Sequence, residues 1–171
     1  KHAEALMRWH HPTLGAIPPA KFIPRAERST LINRLTEFAI DEALRQVVLW
    51  KRVGFSLKVA VNISAQNLTQ PSFVYQVMTL LNKHGLDGSS LELELTENSL
   101  MNNVNNAIDV LTKLSKLGVV VSIDDFGTGY SSLQYLQKLP VSIIKIDKSF
   151  ILNLATDDGS RYIVDAAVNL A

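Results

Sequence analysis

The most informative stretch of the sequence is VSIDDFGTGYSSL, at residues 121–133. In it an apolar run ends in two adjacent carboxylates, and a glycine-rich segment follows. The apolar part predicts a buried strand, and the residues after the glycines predict the start of a helix. Asp124 and Asp125 would therefore stand at the carboxyl end of a strand. In parallel sheets this end usually carries the chemistry, so the pair raises the question of what it binds.

The same alternation of strand and helix extends in both directions from this stretch. The predicted strands are 3–9, 57–63, 90–96, 119–125 and 141–147. The predicted helices are 30–52, 71–85, 104–117, 131–139 and 159–171, and a proline-rich loop is expected at 10–24. Such a pattern is typical of a parallel sheet covered by helices, either an open doubly wound sheet or a (β/α)8 barrel. A barrel needs about 250 residues, so a chain of 171 residues is short of one.

The bulk composition excludes several classes of protein. Seventeen basic residues against 16 acidic ones give a net charge of +1, which argues against a DNA or RNA partner held by bulk electrostatics. Cysteine is absent, which excludes disulfides and thiolate metal sites and fits a reducing, cytoplasmic compartment. No apolar run approaches the ~18 residues of a membrane span. There is no signal peptide and the first residue is Lys1, so we expect a piece of a longer protein.

Polar side chains stand near the carboxyl ends of four predicted strands. They are Asn62, Glu94, the pair Asp124 and Asp125, and Lys145 with Asp147. Glu4 stands early in its predicted strand, where period-two alternation places it on the same side as Leu6 and Arg8. Carboxylates and an amide, without Cys or His, suit Mg²⁺ or Mn²⁺ better than zinc. Two adjacent aspartates could each serve one of two ions that activate a water for phosphoryl displacement.

Each of these features also has a structural explanation when it is taken alone. An Asp-Asp pair after a strand is more often a helix cap or a turn, and FGTGYSS at 126–132 could be an ordinary turn. Glu92 is expected to be solvated or paired, Lys145 could be a salt-bridge partner, and the four histidines could be surface residues. Only the joint occurrence of compatible groups at four strand ends favours a metal site.

Five motifs resemble the EAL domain family, which is named for its Glu-Ala-Leu sequence. They are EALMRWHHPTLGAIPPAKFIPRAE at 4–27, VNIS at 61–64, ELTE at 94–97, DDFGTGYSSL at 124–133 and IKIDKSF at 144–150. They occur in the family's order and at its usual spacing, so residues 1–171 resemble one partial EAL domain. The resemblance implies a TIM-like (β/α)8 barrel with one strand reversed, incomplete in this chain. It also implies the hydrolysis of cyclic di-GMP to linear pGpG with two Mg²⁺ or Mn²⁺ ions.

The resemblance also implies roles for individual residues. The implied metal ligands are Glu4, Asn62, Glu94 and Asp124 for a first ion, and Asp125 for a second. The implied catalytic residues are Lys145, beside the hydrolytic water, and Glu97, which holds the DFGTGYSS loop at the metal site and dimer interface. The implied substrate-binding residues are Leu6, Arg8, which contacts a phosphate, and Asp147. Ca²⁺ is expected to bind without supporting turnover, and so to inhibit.

The chain departs from the family in one segment and at its two ends. AERSTL at 26–31 has Arg28 and Thr30 where the family commonly shows an acidic or polar residue and a glycine, which should affect loop packing more than chemistry. The family's Gln-Pro-Ile strand would precede Lys1, and its Ala-Glu-Gly-Val-Glu and Gln-Gly segments would follow Ala171. We therefore expect residues 1–171 alone to aggregate or pair their open edges with another copy, and to lack activity.

The favoured interpretation is a metal-dependent cyclic di-GMP phosphodiesterase, because every ligand that this stretch could carry is present. The alternative is an inactive EAL-like domain that binds cyclic di-GMP or a protein partner as a signalling receptor. A third possibility is a remnant that only dimerises. The family also implies bacterial signalling, a homodimer, and a cytoplasmic domain fused to sensor or membrane domains.

Overall fold

Five parallel strands form the frame of the computed structural model, which describes residues 1–101, 104–129 and 138–170. The strands of the described residues are β1 (His2–Ala5), β2 (Trp9–His11), β3 (Gly15–Ile17), β4 (Lys58–Asn62), β5 (Leu91–Thr96), β6 (Val120–Phe126) and β7 (Ile143–Ile146). The parallel sheet has the order β1-β4-β5-β6-β7, so successive strand–helix units are neighbours in space. It curls into a half-barrel, which confirms the incomplete TIM-like barrel expected from the sequence.

Helices connect these strands and cover one face of the sheet. They are α1 (Pro19–Glu27), α2 (Leu31–Arg52), α3 (Ala65–Thr69), α4 (Phe73–His84), α5 (Glu97–Met101), α6 (Val104–Lys116), α7 (Lys148–Asn153) and α8 (Asp158–Leu170). Helix α4 ends where Gly85 adopts a left-handed conformation with φ of 63°, as the glycine in the sequence predicts. None of the helices in the described ranges is long and apolar enough to span a membrane.

The hydrophobic core lies between the sheet and helices α2, α4 and α6. Alternate strand residues such as Val61, Leu93 and Ile123 point to this covered face and are buried. They pack against helix residues such as Leu44 and Leu111, which are also fully buried. The remaining strand residues point to the opposite side of the sheet, which we call the inner face. Because side chains alternate along a strand, every charged residue of β5 falls on the inner face.

The structure corrects two predictions near the amino end. The strand predicted at 3–9 ends at Ala5, and Trp9–His11 instead pairs antiparallel with β3 in a separate two-stranded sheet. The loop predicted at 10–24 contains this hairpin and the first part of α1. The chain turns here because the His11 ring accepts hydrogen bonds from the backbone N–H groups of Thr13 and Leu14, at 3.2 and 3.3 Å. Leu6 and Arg8 therefore follow β1 and do not belong to it.

The other predicted elements agree with the structure to within about two residues, the usual uncertainty of such bounds. The confirmed elements are the strands predicted at 57–63, 90–96, 119–125 and 141–147 and the helices predicted at 30–52, 71–85, 104–117 and 159–171. The helix predicted at 131–139 lies almost entirely outside the described residues. The short helices α3, α5 and α7 were not predicted, because one or two turns carry too little periodicity to detect.

Candidate active site

The parallel register brings the polar groups of β1 and β4 into contact at the carboxyl end of the sheet. Glu4 is the penultimate residue of β1, and its Oε1 accepts a hydrogen bond of 2.8 Å from Asn62 Nδ2. Asn62 is paired in turn with Glu94 of the next strand. Glu4 stood early in the strand predicted from the sequence, but the shorter β1 places it at the functional end. Three of the predicted metal ligands are therefore neighbours.

Glu94 is the most deeply buried of these ligands. Its side chain is fully buried, and its Oε1 accepts a hydrogen bond from Lys145 Nζ, which reaches across β6 from β7. Its Oε2 is also buried and has no hydrogen-bond partner in the described residues. Burial raises the pKa of Glu94, the Lys145 ammonium opposes that rise, and the charges of Glu4 and Asp124 add to it. An unpartnered buried oxygen surrounded by further carboxylates is a position where a cation would be stabilised.

Lys145 is partly buried, and the charges around it are carboxylates of opposite sign. Desolvation lowers the pKa of Lys145, but the hydrogen bond and charge of Glu94 outweigh that effect, and Asp124 and Glu92 contribute to a net rise. The ammonium therefore stays charged beside the carboxylates. A fixed positive charge at this end of the sheet suits an anionic substrate or a developing negative charge.

Asp124 and Asp125 lie inside β6, at an irregularity in its pairing with β7. The pairing shifts between Ile123 and Phe126, which is the signature of a β-bulge. Asp125 has a φ of 53°, the only positive value among the non-glycine residues in the described ranges. The two aspartates were expected at the end of the strand predicted at 119–125, where regular alternation would point them to opposite faces. The bulge and the left-handed conformation of Asp125 remove that restriction, and both carboxylates can serve the same end of the sheet.

Asp125 and Asp147 form a second acidic pair next to the first. Partial desolvation raises the pKa of Asp125, and the carboxylates of Asp124 and Asp147 raise it further. Asp147 is the N-cap of α7, where its Oδ1 accepts a hydrogen bond of 2.8 Å from the backbone N–H of Ser149. The hydrogen bonds from Ser149 hold the pKa of Asp147 below its usual range. The structure thus gives Asp147 a capping role, whereas its predicted substrate contact stays a prediction.

Glu97 holds the glycine-rich segment that follows β6. Its Oε2 accepts hydrogen bonds from the backbone N–H groups of Gly127 at 2.8 Å and Gly129 at 3.1 Å. A Cβ added at Gly129 would lie 2.9 Å from the Glu97 carboxyl carbon and 2.8 Å from Asn98 Oδ1, so an alanine here would push both side-chain ends out of their present positions. Gly127 combines a φ of 98° with a Cβ direction blocked by Phe150 at 2.6 Å. Glu97 therefore connects the start of α5 to the segment beside Asp125.

Leu6 and Arg8 reach the same region from the segment after β1. Both line a cleft of about 740 Å³ that also includes Asn62 and Asp125. Leu6 is 54% exposed, and Arg8 donates a hydrogen bond of 3.0 Å to the carbonyl of Met7. The opposite wall of the cleft comes from α1, which the sequence had suggested was part of a loop. The consecutive prolines at 18 and 19 were the signal for that helix, because proline is favoured at the first helical position.

The donor set fits a divalent cation in its chemistry. It consists of carboxylate and amide oxygens, with one buried oxygen of Glu94 unpartnered. In the described ranges, however, no three His, Cys, Asp or Glu side chains converge closely enough to hold a metal ion. Lys145 instead occupies one oxygen of Glu94. The binding of Mg²⁺ or Mn²⁺ therefore stays a prediction that rests on the ligand chemistry.

Glu92 is more deeply buried than the sequence indicated. It was expected to be solvated or paired, and it is fully buried rather than solvated. The pairing takes the form of a contact with His2, whose Nδ1 lies 4.0 Å from Glu92 Oε2, while neither carboxylate oxygen has a hydrogen-bond partner within the described part of the chain. The alternation of LELEL contained the signal, because Glu92 and Glu94 must share a face of the strand. The sequence did not reveal how completely neighbouring side chains would cover that face.

Comparison with known proteins identifies the architecture. The EAL domain family model matches residues 1–171. In Pseudomonas aeruginosa the bifunctional diguanylate cyclase/cyclic di-GMP phosphodiesterase MucR is 46% identical over 98% of this chain and 24% of its own length. The cyclic di-GMP phosphodiesterase NbdA of the same organism is 43% identical over 98% of this chain and 22% of its own length.

A solved structure described as the PaMucR phosphodiesterase in complex with c-di-GMP matches the fold with a TM-score of 0.91. It is 45% identical, and the alignment covers 99% of this chain and 69% of that chain. The chain thus spans about a quarter of the length of these curated relatives. A family model that matches from the first residue to the last, together with these relatives, shows that the chain belongs to the EAL domain family.

Proposed function

We propose that the protein containing this chain hydrolyses cyclic di-GMP to linear pGpG. The observation that carries the proposal is the buried oxygen of Glu94 that has no hydrogen-bond partner among the described residues and lies at the carboxyl end of the sheet, near Glu4 and Asp124. Such a group needs a cation, and hard oxygen ligands favour Mg²⁺ or Mn²⁺. The substrate comes from the relatives, whose names describe cyclic di-GMP phosphodiesterases.

In this proposal some residues of the chain bind the substrate, and others stabilise charge or position the site. Arg8 can present two N–H groups to a phosphate in the cleft that it shares with Leu6 and Asn62. Lys145 keeps a positive charge beside Glu94, where it can stabilise negative charge that develops on the phosphate. Glu97 fixes the backbone after β6 and so the position of Asp125.

Glu4, Asn62, Glu94 and Asp124 would hold a first divalent cation, and Asp125 would hold a second. When bound, the two cations supply charge neutralisation and lower the pKa of a water. Asp124 and Asp125 can serve two cations because the β-bulge frees their side chains from strict alternation. Burial is the main cause of the raised pKa values of Glu94 and Asp125, and the neighbouring carboxylates add to it.

The test is turnover of cyclic di-GMP by the full-length protein, with pGpG quantified by chromatography. Activity should require Mg²⁺ or Mn²⁺, disappear on chelation, and not be restored by Ca²⁺, whose longer and looser coordination misplaces the water. Glu94→Gln should abolish turnover, whereas Glu37→Gln on the exposed surface of α2 is the matched control and should not. Full activity after exhaustive chelation would contradict the proposed mechanism.

Binding without hydrolysis is the second candidate, and one observation favours it. The described residues contain no cluster of three or more metal-ligating side chains, and Lys145 occupies an oxygen of Glu94. A receptor of this kind would bind cyclic di-GMP through Arg8 and the cleft but would not need a cation. Calorimetry separates the two candidates, because a receptor would bind cyclic di-GMP with unchanged affinity after chelation and leave it intact over hours.

A further inference from the structure

A buried, polar pair lies on the inner face of the sheet, one step below the candidate active site. Glu92 and Ser122 are both fully buried. Neither the carboxylate oxygens of Glu92 nor the hydroxyl of Ser122 has a hydrogen-bond partner in the described residues. The strand register places Glu92 two residues before Glu94 on β5 and places Ser122 opposite Glu94 on β6. The proposed function uses neither residue.

A fully buried carboxylate without partners is unfavourable unless a cation lies close to it. Two basic side chains of the described residues lie in the surroundings of Glu92. His2 Nδ1 lies 4.0 Å from Glu92 Oε2, beyond hydrogen-bond distance, and the His2 side chain is 46% exposed on the edge strand. Lys145 is the other, because its Nζ contacts Glu94, whose side chain is the next one along the same face of β5 as that of Glu92. Of the two, only Lys145 is largely buried on the inner face.

Within the described residues, Lys145 makes one hydrogen bond, to Glu94, and the charge of Asp124 adds to the rise in its pKa. Its Nζ donates this bond to Glu94 Oε1. Glu94 is also a proposed cation ligand. A divalent cation on Glu94 would share its negative charge and repel the ammonium, so the attraction between Lys145 and Glu94 would weaken. Lys145 would then need a second carboxylate to stay in place.

We propose that Glu92 is a positioning residue, whose buried carboxylate holds the Lys145 ammonium on the inner face when a cation engages Glu94. Glu92 lies on the same face of the same strand, has both oxygens available, and is shielded from water. The hydroxyl of Ser122 lies between the two strands that carry Glu94 and Lys145, where it can donate to either carboxylate. This inference rests on the proposed function for its catalytic consequence, but the position of Lys145 can be measured without any substrate.

The experiment uses the full-length protein with saturating Mg²⁺ and no nucleotide. Lysine acetylation by a small anhydride is followed by mass spectrometry, with the exposed Lys113 as the internal reference. In Glu92→Gln with Mg²⁺, the labelling rate of Lys145 relative to Lys113 should rise roughly tenfold, the factor expected for the loss of one hydrogen bond to a charged group. Without Mg²⁺ the same variant should match the wild type, because Glu94 still holds the ammonium. Glu37→Gln should match the wild type under both conditions.

A second readout separates a positioning role from a purely structural one. Glu92→Gln should lower kcat for cyclic di-GMP with KM unchanged, and Glu92→Asp, which keeps the charge on a shorter side chain, should give intermediate values for labelling and kcat. If the Gln variant fails to fold, the Asp variant carries the test. Equal labelling of Lys145 in the Mg²⁺-treated variant and wild type would overturn the inference. Raised labelling in a protein whose wild type does not hydrolyse cyclic di-GMP would support the inference and reject the proposed function.

Discussion

The two faces of the parallel sheet are equally buried at their centre but serve different purposes. Leu93 and Glu94 are adjacent on β5, and both are fully buried. Leu93 belongs to the core against the helices, where each buried apolar side chain contributes to folding. Glu94 belongs to the inner face, where burial raises the pKa of its carboxyl and leaves one oxygen unpartnered. One face stabilises the domain, and the other carries a buried carboxylate whose desolvation opposes folding.

A similar contrast separates the charges of the inner face from those on the helices. Asp41 of α2 accepts hydrogen bonds from Lys83 at 2.8 Å and from His84 at 2.7 Å, both on α4. The hydrogen bond from Lys83 holds the pKa of Asp41 below its usual range, and His84 adds to that effect. Glu94 and Asp125 have raised pKa values instead. Ion pairing therefore lowers a carboxyl pKa in the helix layer, whereas burial, with neighbouring carboxylates, raises it on the inner face.

The largest expected effect on stability comes from a substitution in the hydrophobic core. Leu93→Ala should lower the free energy of unfolding by about 2–5 kcal/mol, since it removes a fully buried side chain and leaves a cavity. Amide hydrogen exchange of the β5 and β6 peptides in the full-length protein measures this locally. Turnover per folded molecule should change much less than stability. A loss below about 1 kcal/mol would mean that the site collapses around the smaller side chain.

Substitution of the adjacent residue, Glu94, should reduce the rate of hydrolysis much more than the stability of the domain. Glu94→Gln should lower the free energy of unfolding in the absence of metal by less than Leu93→Ala does, because it breaks the ion pair with Lys145 but keeps the side-chain shape and an amide oxygen that can still accept the hydrogen bond from this partly exposed ammonium. The rate of cyclic di-GMP hydrolysis should fall by at least about a hundredfold, which corresponds to about 2.7 kcal/mol. The same hydrogen-exchange experiment measures the stability, and an assay of the product pGpG measures the rate of hydrolysis, both on one sample. A variant that lost exchange protection as strongly as Leu93→Ala would place Glu94 among the structural residues.

A smaller effect is expected at the junction of the two regions, where Glu97 holds the segment after β6. Gly129→Ala should lower hydrolysis by about tenfold, equivalent to roughly 1.4 kcal/mol, because its Cβ would push against the Glu97 carboxyl and Asn98. Gly159→Ala is the control, since a Cβ there meets only Asp157 at 3.4 Å. Steady-state rates of the two variants test the difference. Equal rates would show that the position of the Glu97 carboxylate does not limit turnover.

The comparison of faces also explains how much the sequence could predict. The alternation of LELEL and the order of the motifs predicted the sheet, its neighbours and the strand-end positions of Asn62, Glu94 and Asp124. Both are local properties of the chain. The burial of Glu92 and the contact of Lys145 with Glu94 depend on how three strands cover one another, which periodicity does not contain. The roles of the individual site residues stay predictions.

Asp125 and the hairpin at 9–17 show a second limit to what could be predicted from the sequence. The bulge that frees Asp125 requires a left-handed conformation at a residue that rarely adopts it, and the pairing of β6 with β7 enforces it. The hairpin depends on hydrogen bonds to the ring of His11, a side-chain interaction that a strand pattern does not reveal. In both places tertiary or side-chain contacts override local preference.

The smallest expected effect concerns the paired charges of the helix layer and depends on pH. Asp41→Asn should lower the free energy of unfolding by about 0.5–1 kcal/mol near neutral pH, the range of partly exposed ion pairs. Because the folded-state pKa of Asp41 is lowered, its contribution is present above the unfolded pKa of about 3.9 and is lost as pH falls through the folded value.

The measurement is the thermal transition of the domain, recorded for wild type and Asp41→Asn at pH 6.5 and at pH 3. The two proteins should differ at the higher pH, and the difference should be smaller at the lower one, because protonation of Asp41 has begun to remove its contribution there. Asp109→Asn, which breaks the exposed pair with Lys113 within α6, is the matched control and should change stability less. A difference that persisted unchanged at pH 3 would show that Asp41 acts through packing rather than charge. The contrast between paired charges on the helices and crowded charges on the inner face would then lose its electrostatic basis on the helix side.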